Sequence, residues 1–151
     1  MNITEIRIKL VPGKRDKLRG FASITVDDCI VIRDIKIIDG GQGVFIAMPS
    51  RKLCDRCPSC AGKNHLRARY CAECGTRQDR TRAETDERGR PRLYADVAHP
   101  IHQRAREFVQ GAVLNEYGLE LERSSKEGYV ATTFDDLDYD YLIENSIDDV
   151  Y

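Results

Sequence analysis

The chain has 151 residues, no tryptophan, 41% hydrophobic and 32% charged residues, and a formal net charge of −1. Single domains commonly run to about 100–150 residues, so this length suits one modest domain with appendages and excludes a large multidomain enzyme. No apolar stretch approaches the ~20 residues of a membrane helix, and Met1–Glu5 has no basic region leading into an apolar run, so the expectation is a soluble cytoplasmic protein without membrane partners.

The period of the apolar residues changes along the chain. Ile3, Ile6, Ile8 and Leu10 alternate with Glu5, Arg7 and Lys9, which predicts a strand with one wet face. The basic cluster Lys14–Arg19 reads as a loop, a second strand follows over Phe21–Val26, and Asp27-Asp28 marks a turn. Ile30–Ile38 is β-branched and long enough for a strand that bends midway, with Cys29 at its start expected to be a small buried hydrophobe. After the glycine-rich turn Asp39–Gly43, Val44–Met48 makes a fourth strand, which Pro49 stops. Short strands joined by close turns predict an antiparallel meander. A helix is expected over residues 100–117. It opens at Pro100, carries Ile101, Ala105, Phe108, Ala112, Val109 and Val113 toward the sheet, and ends at Gly118. The fold class is therefore α+β.

Between strands and helix lie Cys57, Cys60, Cys71 and Cys74, two Cys-x-x-Cys pairs that predict a closed tetrahedral Zn2+ site. Pro58, Gly62 and Gly75 suit the knuckle turns. A disulfide framework would need an oxidising compartment, and a thioredoxin-like pair would need a βαβ setting, which the surrounding Arg-rich, loop-like sequence does not provide. Cys54, three residues before Cys57, is a possible substitute ligand, and His65 a more remote one. Four thiolates leave no position for water, which argues against a catalytic metal.

Several segments together resemble a known family: Ile3–Ile8, Ala22–Asp27, Asp34–Gly40, Phe45–Ser50 ("FIAMPS"), Asp96–Ile101 ("DVAHPI") and Ala112–Tyr117 ("AVLNEY"). In this order they are similar to SpoVG, the stage V sporulation protein G or septation protein family, whose members bind DNA and RNA. The resemblance covers residues 1–52 and about 92–118. It implies a small antiparallel sheet with a C-terminal helix, a homodimer formed through strand pairing, and only a short basic loop between the "MPS" and "AHPI" segments. Here residues 53–92 stand in that loop as a zinc-ribbon-like insert, leaving a discontinuous domain of residues 1–52 and 93–118 and an acidic tail, 119–151. A small metal module at a loop tip disturbs its host little.

Charge placement then suggests the chemistry. Residues 1–52 and 53–95 each carry ten Lys and Arg against six Asp and Glu, whereas residues 124–151 carry one Lys against eight acids. In the family the basic residues after the "MPS" strand are implicated in nucleic-acid contact, which by resemblance marks Arg51 and Lys52. Arg67, Arg69 and Arg92 of the insert join them as candidate phosphate ligands, since guanidinium forks match phosphate oxygens. The acids interleaved among the insert's arginines equally suit a solvated linker over residues 76–93. Tyr70 offers a face for an unpaired base, although packing against the ribbon is the plainer expectation. The tail from Phe134, acidic with interspersed aromatics, reads as a solubilising segment or one that docks on the basic insert. No phosphate-cradling glycine motif or nucleophile elbow is present, so a non-enzymatic protein is expected. The alternative to a dimeric nucleic-acid-binding regulator is an adaptor that recruits protein partners through ribbon and tail.

Overall fold

The computed structural model describes residues 1–13 and 17–133, so the expectations for the tail from Phe134 onward, and for Lys14–Asp16, lie outside it. The chain separates into two compact units, one formed by Met1–Pro49 together with the chain from Ala98, the other by Ser50–Val97. Among the described residues no helix is long and apolar enough to cross a membrane.

The first unit is α+β. Strands β1 (Ile3–Leu10), β2 (Leu18–Val26), β3 (Ile30–Asp39) and β4 (Val44–Ala47) form one antiparallel sheet in chain order. β2 starts at Leu18 rather than Phe21, because Leu18 is buried against Phe21 and Ile38 and is drawn into the ladder. Gly20 permits the close approach of β1 here, since a Cβ at that position would stand 2.7 Å from the Lys9 carbonyl oxygen. Asp27 and Asp28 both take positive φ (48° and 54°) as the central residues of a turn closed by the Cys29 N–H on the Val26 carbonyl at 2.9 Å, and Val26 pairs with Ile30, so the loop holds three residues. Cys29 falls at the end of that turn and is exposed, which corrects the expectation of burial. The bend in β3 is a bulge: Ile32 pairs with Ile24 and Ile35 with Ala22, so Arg33 and Asp34 share the space opposite Ser23, and Asp34 takes φ 62°.

β2 is central and buried on both faces, and its alternation splits the apolar residues in two. Ala22 and Ile24 pack with Ile8, Ile35, Ile37, Val109 and Val113, while Phe21 and Leu18 pack with Ile38. The helix α1 (Gln103–Ser124) is capped by His102, whose Nδ1 accepts from the Ala105 N–H at 3.1 Å. It therefore starts after Pro100 and runs through Gly118, seven residues past the predicted end at Tyr117. Arg123, near its last turn, binds both Glu116 and Glu120, and Tyr129 folds back to donate to Glu120 Oε1, so the final turns gain partners. The buried line is Val109 and Val113, with Leu114 and Tyr117 alongside. Phe108 and Ile101, expected to face the sheet, are 49% and 88% exposed.

The second unit has a different construction. β5 (Ser50–Lys52) pairs with β8 (Tyr94–Asp96), and β6 (Cys54–Arg56) with β7 (Lys63–His65). Its buried residues are Cys57, Gly62, Asn64, Cys71 and Gln78, with no aliphatic or aromatic side chain among them. Residues 84–92 are a hairpin rather than a plain linker: Asp86 accepts from the Arg88 and Arg90 N–H groups and pairs with the Arg90 guanidinium at 2.9 Å.

Candidate metal centre and basic surface

Each Cys-x-x-Cys pair closes a knuckle with the same bonds. In the first, the Cys57 N–H donates to the Gly62 carbonyl and the Ala61 N–H to the Cys57 carbonyl, both at 2.8 Å. In the second, Cys71 N–H reaches the Thr76 carbonyl at 2.8 Å and Gly75 N–H the Cys71 carbonyl at 3.0 Å. Ala61 and Gly75 thus occupy equivalent places and both take the left-handed conformation, φ 61° and 76°. Gly62, expected to provide that freedom, serves instead by its lack of a side chain: a Cβ there would come within 2.5 Å of Glu73 Oε2 and 3.1 Å of Cys60 Sγ.

The four predicted sulfurs meet. All lie within 4.8 Å of one another, with Cys57 Sγ to Cys74 Sγ at 3.7 Å and Cys60 Sγ to Cys71 Sγ at 3.6 Å. A tetrahedral thiolate site with bonds of about 2.3 Å has edges of about 3.8 Å, so the set is already spaced to hold a metal ion. Knuckle amides from Ser59, Gly62 and Glu73 each point at a sulfur from 3.4 Å. Cys71 is pulled down to about 6, first by the Cys74 N–H and then by the Asn64 side chain, and Cys57 is lowered chiefly by the Cys60 N–H. For Cys60 the Gly62 N–H acts downward, yet the neighbouring sulfurs of Cys71 and Cys74 push it up to about 12. Crowded sulfurs therefore resist complete ionisation, a conflict that a thiolate-binding cation removes.

Two residues that carried no signal in the sequence organise this centre. Asn64, buried, donates to the Gly62 carbonyl at 3.2 Å and accepts from the Ala72 N–H at 2.9 Å, tying one knuckle to the other. Gln78 Nε2, also buried, lies 3.4 Å from Cys57 Sγ and donates to the Thr76 carbonyl at 2.9 Å. Both sat in polar, loop-like sequence where an amide reads as solvent-facing. Cys54 is outside the sulfur cluster, with its Sγ 3.7 Å from Nδ1 of His65, the residue opposite it on β7.

The candidate cations spread over the same unit. Arg51 and Lys52 are consecutive on β5, opposite Ala95 and Tyr94, so they face opposite sides of that two-stranded ribbon. Arg51, Arg67, Arg69 and Arg92 are exposed and Lys52 half-buried. Three further arginines of the insert make identified internal bonds. Arg82 donates to the His65 carbonyl at 2.7 Å, Arg56 to the Ala61 carbonyl at 3.1 Å, and Arg90 to Asp86. Ser50–Val97 as a whole carries 12 Lys and Arg against 7 Asp and Glu.

A four-stranded antiparallel sheet with one C-terminal helix, carrying between its last strand and that helix a module whose four cysteines lie close enough to hold a metal ion, defines the class of protein. The chain matches SpoVG over residues 1–118 and belongs to that family. It is 38% identical over 125 residues to a protein of Finegoldia magna named as a septation protein SpoVG, covering 83% of this chain and 82% of the relative. It is 36% identical over 122 residues to a protein of that name in Agathobacter rectalis, covering 81% and 98%. An Anaeromyxobacter protein of that name is 31% identical over 125 residues, covering 83% and 90%.

Proposed function

We propose that the protein is a non-enzymatic, nucleic-acid-binding regulator of the SpoVG type, acting in the cytoplasm as a homodimer in septation, sporulation or gene regulation, with Zn2+ held by Cys57, Cys60, Cys71 and Cys74. The septation role is drawn from the names of the relatives. The observation that carries nucleic-acid binding is the cation surplus of Ser50–Val97, 12 against 7, with Arg51, Arg67, Arg69 and Arg92 exposed. Phosphates on such a surface release their counterions, which supplies affinity with little dependence on base sequence. Four thiolates at near-tetrahedral spacing suit zinc in a structural role, with no position open for a reacting water. The outer strands β1 and β4 have backbone groups along their open edges, the kind of surface through which two copies pair.

The test is a fluorescence-anisotropy titration of the zinc-loaded protein against DNA and RNA across a range of salt. Affinity is expected to fall linearly on a log–log plot, and Arg51→Ala with Lys52→Ala to flatten the slope by roughly 0.7–0.9 for each phosphate no longer neutralised. Absence of binding by the intact protein at low salt would overturn this function in favour of a protein-recruiting adaptor.

A further inference from the structure

The second knuckle presents a feature that a zinc module does not need for its own folding. Arg69-Tyr70-Cys71 runs antiparallel to Thr76-Arg77-Gln78, with Tyr70 bridged to Arg77 and the Gln78 N–H donating to the Arg69 carbonyl at 2.8 Å. The backbone of Tyr70 is thus held in place, yet the residue is 62% exposed, contrary to the expectation that it packs against the ribbon. Beside it lies an open concavity of about 400 Å³ lined by Arg69, Tyr70, Arg77, Gln78, Asp79 and Arg80. That volume falls in the roughly 300–1,000 Å³ range of small-ligand clefts. Among the described residues none of the three guanidiniums is in an ion pair. The one carboxylate of the lining, Asp79, is engaged by the Thr81 N–H and hydroxyl, both at 2.8 Å, which hold it ionised. Three positive charges against one negative leave the concavity suited to an anion.

We infer that this concavity binds one unpaired nucleotide of a single-stranded nucleic acid, its base stacked on the Tyr70 ring and its flanking phosphates on Arg69, Arg77 and Arg80. The inference rests on the nucleic-acid reading above and names the strand state it selects. A ring at the surface with cations around it matches a base with its phosphates on either side, and stacking tolerates any base. In a duplex both faces of each base are already covered, so the ring gains nothing there and only the arginines act. Gln78 joins the concavity to the sulfur cluster through its contact with Cys57 Sγ, so the platform is tied to the closed knuckles.

The experiment is an anisotropy titration of zinc-loaded protein with labelled oligo(dT), oligo(U), a duplex of equal length and an abasic strand that keeps the phosphates. Tyr70→Ala is expected to weaken binding of both single strands on the order of tenfold, while Tyr70→Trp retains it. The duplex and the abasic strand should bind wild type and Tyr70→Ala alike. Arg77→Ala should flatten the single-strand salt slope by about 0.7. The Co2+-thiolate absorption of each variant verifies that the knuckles are closed. Photocrosslinking of wild-type protein to halogenated oligo(U) gives a readout independent of substitution, with the adduct expected on Tyr70. Unchanged single-strand affinity in Tyr70→Ala, or adducts confined to other residues, would overturn the subsite and leave nucleic-acid binding standing. Failure of wild type to bind any of the four probes would overturn both.

Discussion

Removing the proposed zinc ion should unfold one unit and spare the other. In Ser50–Val97 the buried residues are two cysteines, a glycine and two amides, whereas the buried Ile, Leu, Val and Phe side chains all belong to the first unit. Fixing each residue costs about 1–2 kcal/mol of backbone entropy, and against it this unit sets mainly the partial burial of Leu53, Leu66, Leu93 and Tyr94. A structural zinc–thiolate centre contributes on the order of 10–16 kcal/mol, comparable with the ~5–15 kcal/mol net stability of a whole ordinary domain. Chelation in the presence of reductant therefore leaves the ribbon unfolded. Two-dimensional amide NMR is the assay. The resonances of Asn64, Ala72 and Gln78 are expected to collapse to random-coil positions, while those of Ile8, Ile24, Ile37 and Val113 stay dispersed. Persistence of the Asn64 and Gln78 shifts under excess chelator would refute the reasoning, because the hydrogen-bonded knuckles would then hold without their ion. Simultaneous collapse of the sheet resonances would refute the independence of the two cores.

Gly118 lies inside α1 with open space where a Cβ would project, so Gly118→Ala is expected to raise the stability of the first unit by roughly 0.5–1 kcal/mol, seen as a higher midpoint in helix-monitored denaturation. Val113 is fully buried between α1 and the sheet, and Val113→Ala should lower that same midpoint by an amount equivalent to about 2 kcal/mol, through reduced methyl burial and the cavity left behind. The Glu120 carboxyl is pushed up by burial, yet hydrogen bonds from Tyr129 and Arg123 outweigh this and hold it below its ordinary value of 4.5. A lowered carboxyl stabilises the fold above its unfolded value and forfeits that contribution as pH falls through the folded one. Glu120→Gln should therefore flatten the acid limb of the stability curve, and a limb unchanged between the two proteins would contradict that assignment.

The elements legible in the sequence were those set by near neighbours. A strand shows its wet and dry faces in a period of two, which made β1 and β2 legible, while β-branching and length marked β3 with its bend, and the glycine-rich turn and Pro49 bracketed β4. The Cys57–Cys60 and Cys71–Cys74 pairs were legible because each knuckle closes within a few residues, so spacing alone brings its two sulfurs together. The run of segments from "FIAMPS" to "AVLNEY" pointed to the family before any fold was seen. Local signals failed where a residue's role depended on what stood across from it. Gly118 reads as a stop, yet α1 passes through it because Arg123, Glu116, Glu120 and Tyr129 bind one another over its last turns. Phe108 and Val109 are equally plausible core residues on a helical wheel, and only the position of β1, β2 and β3 selects Val109.

Periodicity, spacing within a turn and composition suffice for the α+β meander, the helix in outline, the four sulfurs of the metal centre and the surplus of cations around it. They do not suffice for the rest of the site. That Asn64 and Gln78 organise the sulfurs, that Arg82 holds a carbonyl instead of facing solvent, and that Tyr70 stands exposed beside three arginines emerge only in the folded chain. The cause is separation along the sequence: Asn64 reaches Ala72, Gln78 reaches Cys57 and Arg82 reaches His65 only after both knuckles have closed, and no local pattern encodes which atoms that closure brings together.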